Sequence, residues 1–360
     1  MKADQWHFKR TELAEKVMSM FEIGLSSALT FFAPRRMGKT EFLIKDIIPL
    51  AQTHHWQAHY YSFLDADAQA QQKYAHALIQ FGIDNKIIKT SDNQIKKLGA
   101  SAMGLSAQIE MDHAIKPLPE LISLIQTIGQ HQKTILLLDE VQVLAYQPRN
   151  KTFLAALRTA LDTNKDQVKV IFTGSCREGL KQMFSSAQAP FFHFGQNLDL
   201  PALDKRFTDH LCCIYQRATK NQLDTDQLWQ VFQALDYVPQ LIRSLVERVA
   251  LNPGLTVEQA KQALLQDLYD DRHYSEVWDH CSALERVVLK AMAKKNRSLY
   301  SRQMLNQFAK QLSLDELKSY TVQSAVKTLV RKHLIVRCSS NNLFIIEDPN
   351  FQHWVTECSK

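Results

Sequence analysis

Short runs of consecutive apolar residues alternate with amphipathic stretches through the first two hundred residues, after which helical periodicity takes over. Ser27–Phe32, His59–Leu64, Lys133–Leu138 and Val168–Phe172 are such runs. Strands buried on both faces look like this, and their separation by helical stretches predicts right-handed crossovers and a parallel sheet. From 203 to 275 the pattern is helical only, with a break near Asn252-Pro253-Gly254. Further on, Leu284, Val287, Val288, Ala291 and Met292 share one helical face, Met304, Phe308 and Leu312 a second, and Val322, Ala325, Val326, Leu329 and Val330 a third. Two apolar triplets or quartets, Leu334–Val336 and Leu343–Ile346, flank polar Ser339–Asn342 and predict a hairpin. Three helices followed by a hairpin predict a winged helix-turn-helix.

The expected architecture is therefore α/β, with a core over 1–202, a helical domain over 203–278 and a winged helix-turn-helix over 279–360. A chain of 360 residues suits roughly two to three domains. Hydrophobic residues at 45% and charged residues at 22% exclude global disorder. The first twenty residues lack a signal-peptide core, and no stretch reaches the length of about 18 apolar residues that a membrane helix needs. A cytoplasmic protein with no membrane partner is the expectation. The six scattered cysteines form no C-x-x-C pair and read as reduced thiols.

The turn after the first apolar run carries the most specific chemistry. Ala33-Pro34-Arg35-Arg36-Met37-Gly38-Lys39-Thr40 precedes a helical run from Glu41, the strand, loop and helix order of a phosphate-binding loop. Loop and helix N–H groups would cradle phosphates, Lys39 would neutralise oxygens, and the Thr40 hydroxyl would reach Mg²⁺. Ala33 stands where such loops begin with glycine, which requires it to keep a negative φ. The run Lys133–Leu138 ends in Asp139-Glu140, placing one carboxylate for the Mg²⁺ shell and one to polarise water at the carboxyl end of a parallel strand. Val168–Phe172 ends in Thr173-Gly174-Ser175, and a strand lying between the other two would present Thr173 or Ser175 to a phosphate or the water. An inserted strand and a catalytic glutamate fit the ASCE division of P-loop NTPases, and the expected ligands are ATP and Mg²⁺.

Charge adds a partner. The net charge is +6, yet residues 281–360 alone carry +7, leaving −1 for the rest. A basic terminal module suits nucleic acid. On the third helix of the winged motif the outward positions Gln323, Ser324, Lys327, Thr328 and Arg331, with Lys332, His333 and Arg337 near the wing, would contact double-stranded DNA. A winged helix that contacts proteins is the alternative reading. His54-His55 has no further ligand at metal spacing, and Ala100–Ser106 reads as an ordinary loop.

The blocks FKRTELAEKV, APRRMGKTEFL, ILLLDEVQVL and VIFTGSCREGLKQMF, over roughly residues 8 to 245, together resemble the archaeal-type ATPases of the AAA+/STAND group. That resemblance implies an AAA+-like core, a small helical lid and commonly a winged-helix tail. It matches Lys39 and Thr40 to Walker A, Asp139 and Glu140 to Walker B, and Ser175 with Thr173 to the end of a sensor-1 strand. It also offers Arg243, in Asp236–Arg243, as a sensor-2 arginine on the γ-phosphate. Candidates for an arginine finger are Arg177, Arg158, Arg149 and Arg206, none secure, so slow or partner-stimulated hydrolysis and a homo-oligomer or protein partner are expected. The function implied is an ATP-driven switch acting on DNA, against a signalling ATPase acting on proteins or a low-turnover assembly factor.

Overall fold

Each apolar run is a strand, and all five strands of the main sheet are parallel. They are β1 (Ala28–Phe32), β2 (Gln57–Ser62), β3 (Thr134–Asp139), β4 (Val168–Gly174) and β5 (Gln196–Leu198), in the order β2-β3-β4-β1-β5. A computed structural model supplies these positions and describes residues 4–66, 69–88, 118–146, 150–175, 183–184, 189–271, 274–294, 298–332, 334–337 and 344–357. β3 and β4 are buried along their whole length, as helices on both faces require. β4 lies between β1 and β3, with Phe32 opposite Gly174 and Leu138 opposite Phe172, so three carboxyl ends finish side by side. The short β5, polar and three residues long, was not visible as an apolar run.

Helices α1 (Thr11–Glu22), α3 (Ala70–Asp84), α4 (Leu118–His131) and α5 (Lys151–Thr163) surround the sheet, and the helix after β1, α2, runs from Lys39 to Thr53. Its middle, Phe42–Ile47, is wound as a π-helix. Pro49 explains this: it lacks an N–H, and its ring would clash with the carbonyl four residues back in a regular helix. The core joins Leu136, Leu138, Val170 and Phe172 to Leu121, Ile125, Leu157 and Phe191.

The chain divides into two compact units. One is Lys9–Ala33 with Lys39–Leu200; the other is Pro201–Lys360 with Met1–Phe8 and Pro34–Gly38. In the second, α6 (Lys205–Thr219), α7 (Thr225–Ala234), α8 (Pro239–Leu251) and α9 (Val257–Asp271) form a helical bundle. Asp204 and Asp224 cap α6 and α7 by accepting from backbone N–H groups, and α8 opens on proline, which suits a first helical turn. Phe207, Leu211, Phe232, Ile242 and Leu245 are buried at its centre, and Trp6, Phe8 and Met37 pack against them.

After a short helix α10 (Tyr274–Asp279), the unit continues as α11 (Ala283–Ala293), α12 (Arg302–Gln311), α13 (Ser319–Arg331), the antiparallel pair β6 (Ile335–Arg337) and β7 (Phe344–Ile346), and α14 (Pro349–Glu357). Ser282 and Glu285 form a reciprocal capping box on α11, which fixes its first turn. Helix α14 goes beyond the anticipated motif; its Phe351, Trp354 and Val355 complete the same core as Val288, Phe308, Val322 and Ile346. The stretch 89–117, with Ala100–Ser106, lies outside the described residues, as do Arg149, Arg177, His333 and Ser339–Asn342. No helix among the described residues is long and apolar enough to cross a membrane.

Candidate functional site

The turn leaving β1 needs two left-handed residues. Arg36 has φ 68° and Gly38 φ 86°, and a side chain added at Gly38 would meet no atom within 4 Å, so glycine is required by the backbone rather than by space. Ala33 keeps its φ out of the left-handed region, which is why it is tolerated in place of glycine. Lys39, only 5% exposed, donates from Nζ to the Ala33 carbonyl at 2.8 Å, so its charge is held across the mouth of the loop. Arg35 is exposed, and Glu41 accepts from Lys45 at 2.6 Å one helical turn on. Of the loop residues, Met37 packs its side chain against the helical bundle's apolar cluster.

Asp139 is the centre of the constellation. It is 2% exposed, and its Oδ2 accepts from Thr40 Oγ1 at 2.6 Å and from Tyr60 Oη at 3.0 Å. Its Oδ1 accepts from Thr173 Oγ1 and from the Glu140 backbone N–H, the latter at 3.0 Å. Four donors on one buried carboxylate hold it in a single orientation and satisfy its desolvated lone pairs. Burial first, and then Asp139, push the Tyr60 phenol well above its ordinary range, so it remains a proton donor at any physiological pH. No motif or spacing in the sequence marks Tyr60 for this role.

The next residue turns away. Glu140 has φ 54°, an uncommon value for a residue with a side chain, and the 3₁₀ turn Val141–Tyr146 follows it. Its Oε2 accepts from Ser175 Oγ at 2.7 Å and from Gln142 Nε2. Thus two consecutive carboxylates have separate partners: Asp139 with Thr40, Tyr60 and Thr173, and Glu140 with Ser175 and Gln142. Lys39, Thr40, Asp139, Glu140, Thr173 and Ser175, all predicted together, lie at the carboxyl ends of β1, β3 and β4.

The hydroxyl and carboxylate pair offers only oxygen ligands, the donor set that a hard divalent cation such as Mg²⁺ takes. The lysine beside them and the N–H groups opening α2 suit the phosphates such a cation would accompany. The residues present therefore fit a magnesium nucleotide.

Other predicted residues fall elsewhere. Arg243, on α8, stacks its guanidinium over the Trp6 ring with 5.8 Å to the centroid. Arg158 donates to the Pro190 and Phe192 carbonyls at 2.9 Å each and lies 5.0 Å over Phe194, so it is tied into the fold. Arg206 pairs with its own cap, Asp204.

On α13, Gln323, Ser324, Lys327 and Arg331 are exposed on one face, and Thr328 is half-buried, its Oγ1 accepting from Arg331. Lys332 is used differently: its Nζ donates to Glu285 Oε2 at 2.8 Å and to the His280 carbonyl at 2.9 Å. Burial alone would raise the Glu285 carboxyl, but donors from Lys332 and Ser282 outweigh it and hold the group below its ordinary range. Arg337 is on β6, its side chain outside the described residues. Tyr320, on the same helix as the predicted contacts, is 68% exposed.

A family model described as a probable winged helix domain matches residues 272–357. No curated protein matches the chain by sequence. Among solved structures, the chain is similar to the Walker-type ATPase PABY2304 of Pyrococcus abyssi, at 16% identity and TM-score 0.63, with 97% of this chain and 96% of that one covered. It is also similar to the Aeropyrum pernix ORC2 protein in its ADP form, at 13% identity and TM-score 0.53 over 94% of this chain and 88% of the other. A second structure of that protein, with ADPNP and ADP, gives 15% identity and TM-score 0.52 over 96% and 90%. The chain therefore shares its fold with these archaeal proteins, and its carboxyl-terminal part matches a winged helix domain.

Proposed function

We propose that this chain binds and hydrolyses Mg-ATP and that the nucleotide state governs its hold on double-stranded DNA through the winged helix. The observation that carries the reading is the convergence of Thr40, Thr173 and Tyr60 on Asp139, beside Lys39, at the rim of a parallel sheet. Magnesium held there would supply positive charge to offset the charge that develops on the phosphate oxygens. Lys39 adds its charge to the same oxygens, the loop N–H groups orient the phosphates, and Thr40 with Asp139 holds the cation. Glu140 orients the attacking water and takes its proton, and Ser175 fixes the Glu140 carboxylate.

The fold shared with proteins solved in ADP and ADPNP forms supports the nucleotide. The +7 charge of residues 281–360 and the exposed Gln323, Ser324, Lys327 and Arg331 support DNA. Among the described candidates, Arg158 and Arg206 are anchored locally, which favours an arginine supplied by a second copy or another protein, and hence slow basal turnover. A second reading, in which the winged helix grips a protein, is favoured by exposed Leu314, in the turn between α12 and α13, and exposed Tyr320, on α13.

Titration calorimetry with Mg-ADP and Mg-ATP, turnover of wild type beside Glu140→Gln, and anisotropy with duplex DNA with and without ATP test the proposal. Expected are micromolar-class nucleotide binding lost in Lys39→Ala, turnover lost in Glu140→Gln, and DNA affinity that depends on ATP and falls steeply with salt. Protein that ignores Mg-nucleotide sinks the whole reading. DNA binding insensitive to ATP and unchanged in Lys327→Glu/Arg331→Glu leaves the ATPase but favours the protein-contact reading.

A further inference from the structure

Gln142 stands two residues beyond Glu140, inside the 3₁₀ turn, and is 3% exposed. A buried amide needs a reason, because each unmet donor or acceptor costs about 1–3 kcal/mol. Its Nε2 donates to Glu140 Oε2 and, at 3.3 Å, to Ser175 Oγ, while Ser175 donates on to the same Oε2 at 2.7 Å. Both donors thus take one oxygen of the carboxylate. Oε1 has neither of them, so the carboxylate is anchored through one oxygen and presents the other. The left-handed backbone of Glu140 turns the side chain toward this pair and away from the donors gathered on Asp139.

Gln142 Oε1 is buried without a partner. This oxygen is closed to solvent, so the effect of the amide on a water outside passes through the Glu140 carboxylate.

We infer that Gln142 is the positioning residue of the hydrolytic centre: with Ser175 it clamps Glu140 Oε2 so that Oε1 meets the attacking water. This rests on the ATPase reading above. The amide acts through Glu140 and touches neither phosphate nor metal, so nucleotide binding should not register its loss.

Gln142→Met keeps length and volume and removes both the donor and the acceptor, which protects the fold. In the full chain, kcat should fall about tenfold, the scale of one hydrogen bond to a charged group, while KM for ATP stays within about twofold. In a Glu140→Gln background the same change should leave residual turnover where it is, whereas a merely structural role would lower it again. A readout free of turnover comes from protein labelled with ¹⁵N-glutamine. The Gln142 side-chain amide, assigned by its loss in Gln142→Met, should exchange slowly and move in Ser175→Ala and in Glu140→Gln. An amide that exchanges at the rate of free glutamine, or kcat equal to wild type in Gln142→Met while Glu140→Gln is inactive, overturns the inference and leaves the ATPase reading standing. Equal turnover in wild type and Glu140→Gln, or none in either, overturns both.

Discussion

The Thr40 hydroxyl donates to Asp139 Oδ2 at 2.6 Å, joining the helix after the first strand to the end of the third across 99 positions of sequence. Both groups are ligands a divalent cation would take, so losing either should weaken nucleotide binding only where the cation contributes. Thr40→Ala and Asp139→Asn should each lower Mg-ADP affinity by more than about tenfold and leave ADP affinity in EDTA nearly unchanged. Calorimetry with and without Mg²⁺ checks this, and an equal loss in both buffers would refute it.

Tyr60 supports the cation site through the Asp139 carboxylate, to which it donates. Tyr60→Phe removes one of four donors without altering shape, and the Mg²⁺ concentration needed for half-maximal nucleotide binding should rise about tenfold, as for outer-shell partners of metal ligands. Magnesium titration at fixed ADP measures it. The Thr173→Val change, which removes the donor on Oδ1, should act in the same direction.

His59 predicts an acid limit to stability. Burial among aromatic rings lowers its pKa from 6.5 to about 4, and its Nε2 has no partner. The unfolded chain therefore binds a proton between these values that the folded chain refuses, so stability is full above pH 6.5 and declines as pH falls toward 4. The whole effect is roughly 3 kcal/mol. Urea midpoints at pH 7 and pH 5 should differ more in wild type than in His59→Leu; identical pH dependence would show that other groups set the limit.

Exposed and engaged lysines on the winged helix should separate cleanly. Lys327→Ala should reduce the salt slope of duplex binding by about 1, the signature of one lost phosphate contact. Lys332→Ala should leave that slope alone and lower stability by roughly 1 kcal/mol, discounted because Lys332 is partly exposed, since Glu285 loses its partner. Anisotropy from 50 to 200 mM salt, paired with thermal unfolding, tells the two apart.

Much of this was legible in the residues. The four long strands and the helices of the winged motif follow from apolar runs and helical spacing, because burial on two faces or one leaves that imprint. Asp139, Glu140, Thr173 and Ser175 were legible because ligands meet parallel sheets at carboxyl strand ends. Tyr60 was not, since it sits in an aromatic run where alternation gives no polar side to read. Gln142 depends on the left-handed turn at Glu140, which nothing in residue spacing announces. Lys332 looked like an outward basic residue because its partner Glu285 lies 47 positions away. Helix α14 and β5 were missed because one follows a completed motif and the other is too short to show a period.

The strand order also bears on how the protein is made. β1 precedes the other four strands of its sheet in the chain, yet its neighbours are β4 and β5, both far downstream. Among the described strands, Ala28–Phe32 has no sheet partner until Val168–Gly174 has been synthesised, whereas β2 and β3 can already pair with each other. During that interval a nascent chain carries an unpaired apolar strand next to its most specific turn, an invitation to mispairing. Slowing translation after residue 174 should therefore help recovery of native protein, and a chaperone that shelters residues 28–32 should be needed most before that point.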